Sequence, residues 1–190
     1  RSLPETTRFL ALKDQQPSAV APDVKIDRGR LTLQIIVAVL ANVFIATVSI
    51  FQVRYLTEVR GYGAAMASAF TIFTVLPSSI ALVIGGRLAD STGRRQVAVA
   101  TIPVGATLVA VSYSVSGPVM WLTALAGGFS IALAYPAMSV FRSELFPTAK
   151  RNLASALITT ASLLGGSIGL IGAGIAIDNG YSYGAVITTL

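Results

Sequence analysis

Apolar residues in this chain run in long unbroken stretches instead of alternating with polar ones. Residues 31–53, 61–86, 96–141 and 152–177 hold no charged side chain, giving runs of 23, 26, 46 and 26 residues. A helix needs about 20 apolar residues to cross the hydrocarbon of a bilayer. The 46-residue run is too long for one crossing, and Ser114-Val115-Ser116-Gly117-Pro118 supplies a turn near its middle. The pattern therefore predicts five complete spans, at 31–53, 63–85, 96–115, 119–141 and 153–177, and the start of a sixth near Gly184, truncated at Leu190. Helices are expected because open strands leave backbone groups unsatisfied in lipid, and the period-2 alternation of a barrel is missing. The expected fold class is an all-α membrane protein.

Composition sharpens this. Hydrophobic residues make up 54% of the chain and charged ones 12%, with mean hydropathy +0.74. About a quarter charged is usual for soluble domains, so a soluble globular or disordered protein is excluded. The chain opens at Arg1 without a methionine, shows no signal-peptide pattern and stops inside an apolar segment, so it reads as a fragment. With no cysteine there are no disulfides, iron–sulfur clusters or thiolate zinc sites, and with no histidine the commonest metal ligand and general base are gone. No metal constellation can be built from the eight scattered acids, and no cofactor is expected.

A net charge of +6 could point to nucleic acid, but the placement of the 14 basic residues gives another reason for it. Six lie in residues 1–30, three at Arg87, Arg94 and Arg95, and three at Arg142, Lys150 and Arg151; only Arg54 and Arg60 fall in loops of the opposite side. This is the positive-inside asymmetry, which puts residues 1–30, 86–95 and 142–152 in the cytoplasm and 54–62 outside. No nucleic-acid partner is implied. Residues 1–30, with Pro4, Pro17 and Pro22, form a polar cytoplasmic segment, either plain linker or a linker with a short surface helix starting at Pro4-Glu5.

Two loops on the cytoplasmic side carry the informative chemistry. In the first, GGRLADSTGRR, Gly85 and Gly86 allow helices to approach closely and Gly93 permits a tight turn. The Asp90 carboxylate can accept hydrogen bonds from a helix N-terminus or an arginine, and Arg94 and Arg95 stay at headgroup level. In the second, FRSELFPTAKR, Pro147 ends a helix and leaves Glu144 and Arg151 able to face the first loop. An exposed ion pair contributes only about 0.2–1 kcal/mol, little for folding but enough to bias two conformations of similar energy. The plainer readings are an ordinary charged turn and headgroup anchoring.

At these loops the chain resembles the C-terminal half of a major facilitator superfamily transporter of the sugar and metabolite porter branch. The first loop matches that superfamily's Gly-x-Leu-x-Asp-x-x-Gly-Arg-Arg signature between the second and third helices of each half. ELFPTAKR matches the branch's Glu-x-x-Pro-x-x-x-Arg motif, and LPETTRFL is similar to the segment that opens the central cytoplasmic loop, with Thr7 and Phe9 replacing the usual proline and tryptophan. The resemblance implies that residues 1–30 are the central loop, that the five spans are helices seven to eleven of a transporter whose N-terminal half is missing here, and that two bundles rock about a mid-membrane site. It also implies a latch formed by Gly86, Asp90, Gly93, Arg94, Arg95, Glu144, Pro147 and Arg151. The paired glutamines of sugar porters are absent, with isolated Gln34 in their place, and Val140 or Phe141 stands near the expected tryptophan. An organic acid, another metabolite or a drug-like compound therefore fits as well as a sugar.

Within the spans, Gln34, Ala38, Asn42, Ala46 and Ser49 share one face of the first helix. Such a stripe either lines an aqueous cavity, as the resemblance implies, or packs against a neighbouring helix. Tyr135 offers a hydroxyl beside a kink at Pro136, or packs ordinarily, and Gly165, Gly169 and Ala173 form a ridge for helix packing. The substrate-cavity candidates are thus Gln34, Asn42, Ser49 and Tyr135.

The expected function is secondary active transport of a small solute across the plasma membrane by alternating access, coupled to protons. A facilitative uniporter, a drug or metabolite exporter and a transporter-like sensor are the alternatives. An intramembrane enzyme would need catalytic His, Cys, Asp or Glu inside the spans, and a channel a re-entrant filter segment; neither is present. Since no titratable acid or base lies within the spans, a coupling carboxylate would belong to the missing half.

Overall fold

The computed structural model describes residues 26–147 and 150–190, with only the backbone described at 141–144. The LPETTRFL segment lies outside the described residues. Among the described residues six helices follow one another: α1 Arg28–Glu58, α2 Ala64–Thr92, α3 Arg94–Ser112, α4 Gly117–Leu145, α5 Arg151–Asp178 and the short α6 Tyr183–Thr189. The first five contain segments long and apolar enough to cross a membrane. The protein is an all-α membrane protein.

Most helices overrun their apolar runs because helical hydrogen bonding continues into the charged ends, where long side chains reach water. At the start of α1, the Asp27 carboxylate caps the helix, accepting from the Gly29 and Arg30 N–H groups at 2.9 and 3.3 Å. α3 is the exception: it stops at Ser112, and α4 begins at Gly117, whose φ of 64° makes the turn that Pro118 then fixes. A single residue, Gly93 at φ 103° and ψ 130°, separates α2 from α3. A side chain there would be strained although no neighbour crowds it.

α4 lies along both α2 and α3, α1 lies along α5, and α6 touches α1, α3 and α5. These pairings rest on small residues. A Cβ at Gly85 would come within 2.2 Å of the Leu133 carbonyl oxygen, so only glycine lets α2 reach the backbone of α4 there. Gly105 of α3 meets Gly127 of α4 in the same way, and Gly165 and Gly169 of α5 seat Val39 and Val43 of α1. Ala173 is buried on the same ridge, as the sequence pattern predicts. Large apolar side chains such as Leu40, Leu76, Val83, Val99 and Ile168 point outward instead. That inverted distribution suits lipid, where the hydrophobic effect no longer drives helices together and close packing does.

Candidate functional site

The sequence-derived residues fall at one end of the bundle and at mid-bundle, with Tyr135 apart from both. At the end holding the α2–α3 and α4–α5 connections, Arg94 Nη2 stands 3.8 Å from Asp90 Oδ1 across Gly93. The Asp90 side chain is 75% exposed, so its carboxylate keeps room for further donors. Arg95 and Pro147 are exposed, and Gly86 lies against Pro136 of α4. Arg151 opens α5 with its Nε buried and without a hydrogen-bond acceptor among the described residues. Glu144 is in the last turn of α4; its side chain lies outside those described.

Mid-bundle, the α1 stripe turns toward α5. Gln34 and Ala38 are buried, Asn42 and Ala46 half-buried, and Ser49 exposed. Asn42 Nδ2 donates to Ser162 Oγ at 2.8 Å, and that hydroxyl donates to the Ala38 carbonyl at 3.1 Å. Gly166 leaves room for the Asn42 amide, since a Cβ there would lie 2.8 Å from Asn42 Oδ1. The stripe thus joins two helices through a short polar relay, with Ser49 beyond it. Tyr135 does not join this group: it is 67% exposed on α4.

The opposite end holds a network that span-by-span reading of the sequence does not anticipate. Buried Tyr55 donates its hydroxyl to the Tyr113 carbonyl at 2.7 Å, and Tyr113 donates its own to the Val48 carbonyl at 3.0 Å. Arg60 Nε donates to the Tyr55 hydroxyl at 2.7 Å, and its Nη2 donates to the Val115 carbonyl. Glu58 accepts from Arg54 Nε at 2.8 Å and from the Tyr183 hydroxyl at 2.7 Å. Trp121 Nε1 donates to the Tyr62 hydroxyl at 3.3 Å, with Phe70 and Phe73 edge-on to the indole. The available signal was the recurrence of tyrosine and tryptophan at span ends, where amphipathic rings favour the interface.

Residues 30–190 match the family model described as Major Facilitator Superfamily. Among curated proteins, none matches the chain significantly.

Proposed function

The chain belongs to the Major Facilitator Superfamily, a family of membrane transporters, and from that premise we propose that it is one bundle of a secondary transporter that carries a small solute by alternating access. A second bundle, from a preceding part of the same protein, completes the pathway. The solute is a sugar, an organic acid or another metabolite. The membrane is the plasma membrane, with the Asp90 end toward the cytoplasm, as the basic residues argue.

The observation that supports this reading is how loosely Asp90 and Arg151 are held at that end. Asp90 meets Arg94 at 3.8 Å while staying largely exposed, and Arg151 Nε is buried without an acceptor among the described residues. Groups that latch one of two conformations must be able to exchange partners, and a few such contacts suffice where the two states differ by a few kcal/mol. Asp90, Arg94, Arg95, Glu144 and Arg151 are assigned to that latch, with Gly86, Gly93 and Pro147 shaping its backbone. Gln34, Asn42 and Ser49 of α1 and Tyr135 of α4 are the candidates for lining the solute cavity in at least one state.

Proton symport with the coupling carboxylate in the second bundle is the first reading of energy coupling. Uniport is the second, favoured by the lack of any Asp, Glu, His, Lys or Arg within 31–53, 63–85, 96–115, 119–141 and 153–177. Uptake of labelled sugars and organic acids by full-length protein in proteoliposomes tests the assignment. Saturable uptake of at least one class is expected; a panel giving none above protein-free vesicles rejects it.

A further inference from the structure

At the end of the bundle away from Asp90 lies a cavity of about 360 Å³, lined by Tyr55, Arg60, Tyr113, Ser114, Tyr183 and Thr188 among others. Its Tyr55 wall stands about 20 Å along α1 from Asn42, at 1.5 Å per residue. The volume falls within the range of small-molecule sites.

Arg60 is half-buried at this cavity, and its contacts are neutral: the Tyr55 hydroxyl, the Val115 carbonyl and the face of the Tyr55 ring, whose centroid is 5.2 Å from the guanidinium carbon. Ion pairs among the described residues join Arg30 to Asp27, Arg54 to Glu58 and Arg94 to Asp90. Glu58, the acid nearest in sequence, is already engaged by Arg54 and Tyr183. A guanidinium carries five N–H donors in a planar fork, so several of Arg60's remain available. A partly desolvated cation without a counter-charge, beside an open cavity, is the electrostatic complement of an anionic oxygen group.

We propose that this cavity binds a compact anion through a carboxylate or phosphate group. Arg60 supplies the counter-charge, Ser114 adds a hydroxyl to the lining, and the rings of Tyr55, Tyr113 and Tyr183 cover the apolar part of the ligand. Two sources carry this chemistry: a soluble organic anion, or the headgroup of an anionic lipid, because the cavity lies at the ends of α1 and α3, where the apolar spans give way to loops.

The test uses full-length protein in nanodiscs. In phosphatidylcholine discs the melting temperature is followed with benzoate and with benzamide, its neutral counterpart; separately, phosphatidylglycerol is added to the discs. Ligand bound to the native state raises the melting temperature. Benzoate, phosphatidylglycerol or both should raise it by about 2 °C or more, and benzamide should not; the responding arm identifies the source. Arg60→Gln should abolish the rise and Arg60→Lys retain part of it. Should Arg60→Gln fail to fold, Thr188→Phe, which fills the cavity and leaves Arg60 in place, should abolish it as well. No rise with either anion in the unmutated protein, an equal rise with benzamide, or an undiminished rise in Thr188→Phe would overturn the proposal.

Discussion

The side-chain amide of Asn42 donates to the hydroxyl of Ser162 at 2.8 Å, tying α1 to α5 across 120 residues of sequence. The same hydroxyl donates onward to the Ala38 carbonyl, so one serine satisfies two groups of α1 at mid-helix. Interhelical hydrogen bonds of this kind contribute about 0.6–2 kcal/mol in membranes. Ser162→Ala should therefore destabilise the full-length protein by about 1 kcal/mol in detergent unfolding. A variant as stable as the parent would mean that glycine packing alone holds the pair.

Close approach makes a sharper contrast between two glycines. Gly85→Ala drives a methyl into the backbone of Leu133, and relieving such overpacking costs about 1–3 kcal/mol. Gly172→Ala meets nothing within 4 Å inside α5, and alanine is favoured over glycine in a helix by roughly 0.5–1 kcal/mol. The first substitution should lower the melting temperature and the second leave it unchanged or raise it. Equal effects would contradict the α2–α4 contact.

How much of this was readable beforehand depends on the range over which the sequence speaks. The break at Gly117-Pro118 and the tight turn at Gly93 were legible because a positive φ or a fixed one needs a particular residue at that very position. The Gly165-Gly169-Ala173 ridge was legible because its spacing repeats on one helix face. The partner of Asn42 was not, because a hydrogen bond between residues 42 and 162 leaves no trace in either local pattern. Arg60 read only as one of two outer charges, since its acceptors are a tyrosine and a backbone carbonyl contributed by the α3–α4 turn. Most helix ends lie beyond the apolar runs because hydropathy marks where lipid ends, whereas the helix continues to the next cap or turn; α3, which stops at Ser112, is the exception.

Substitution at the charged end separates a latch from a binding group. Asp90→Asn removes the charge facing Arg94 while keeping the shape, and at 75% exposure the pair contributes about 1 kcal/mol or less to folding. Transport rate and the balance of inward-facing and outward-facing forms should shift, with the ranking of substrates preserved. A reordered ranking would place Asp90 in recognition instead.

Orientation is open to chemical labelling because the chain has no cysteine of its own. Cysteines at the exposed positions Ser91 and Ser116 lie on opposite ends of the bundle. An impermeant thiol reagent applied to intact cells should label the cysteine at 116 and spare the one at 91. The reverse pattern would invert the proposed topology.

Alternating access is the central claim, and exchange across the membrane tests it most directly. Proteoliposomes holding full-length protein are loaded with an unlabelled substrate from the uptake panel, and entry of the same labelled compound is compared with entry into empty vesicles. A carrier that returns loaded faster than empty accelerates entry into loaded vesicles, and that trans-stimulation is the predicted result. Entry that is unaffected by internal substrate and grows linearly with concentration, without saturation, would contradict the account and point to a channel-like path.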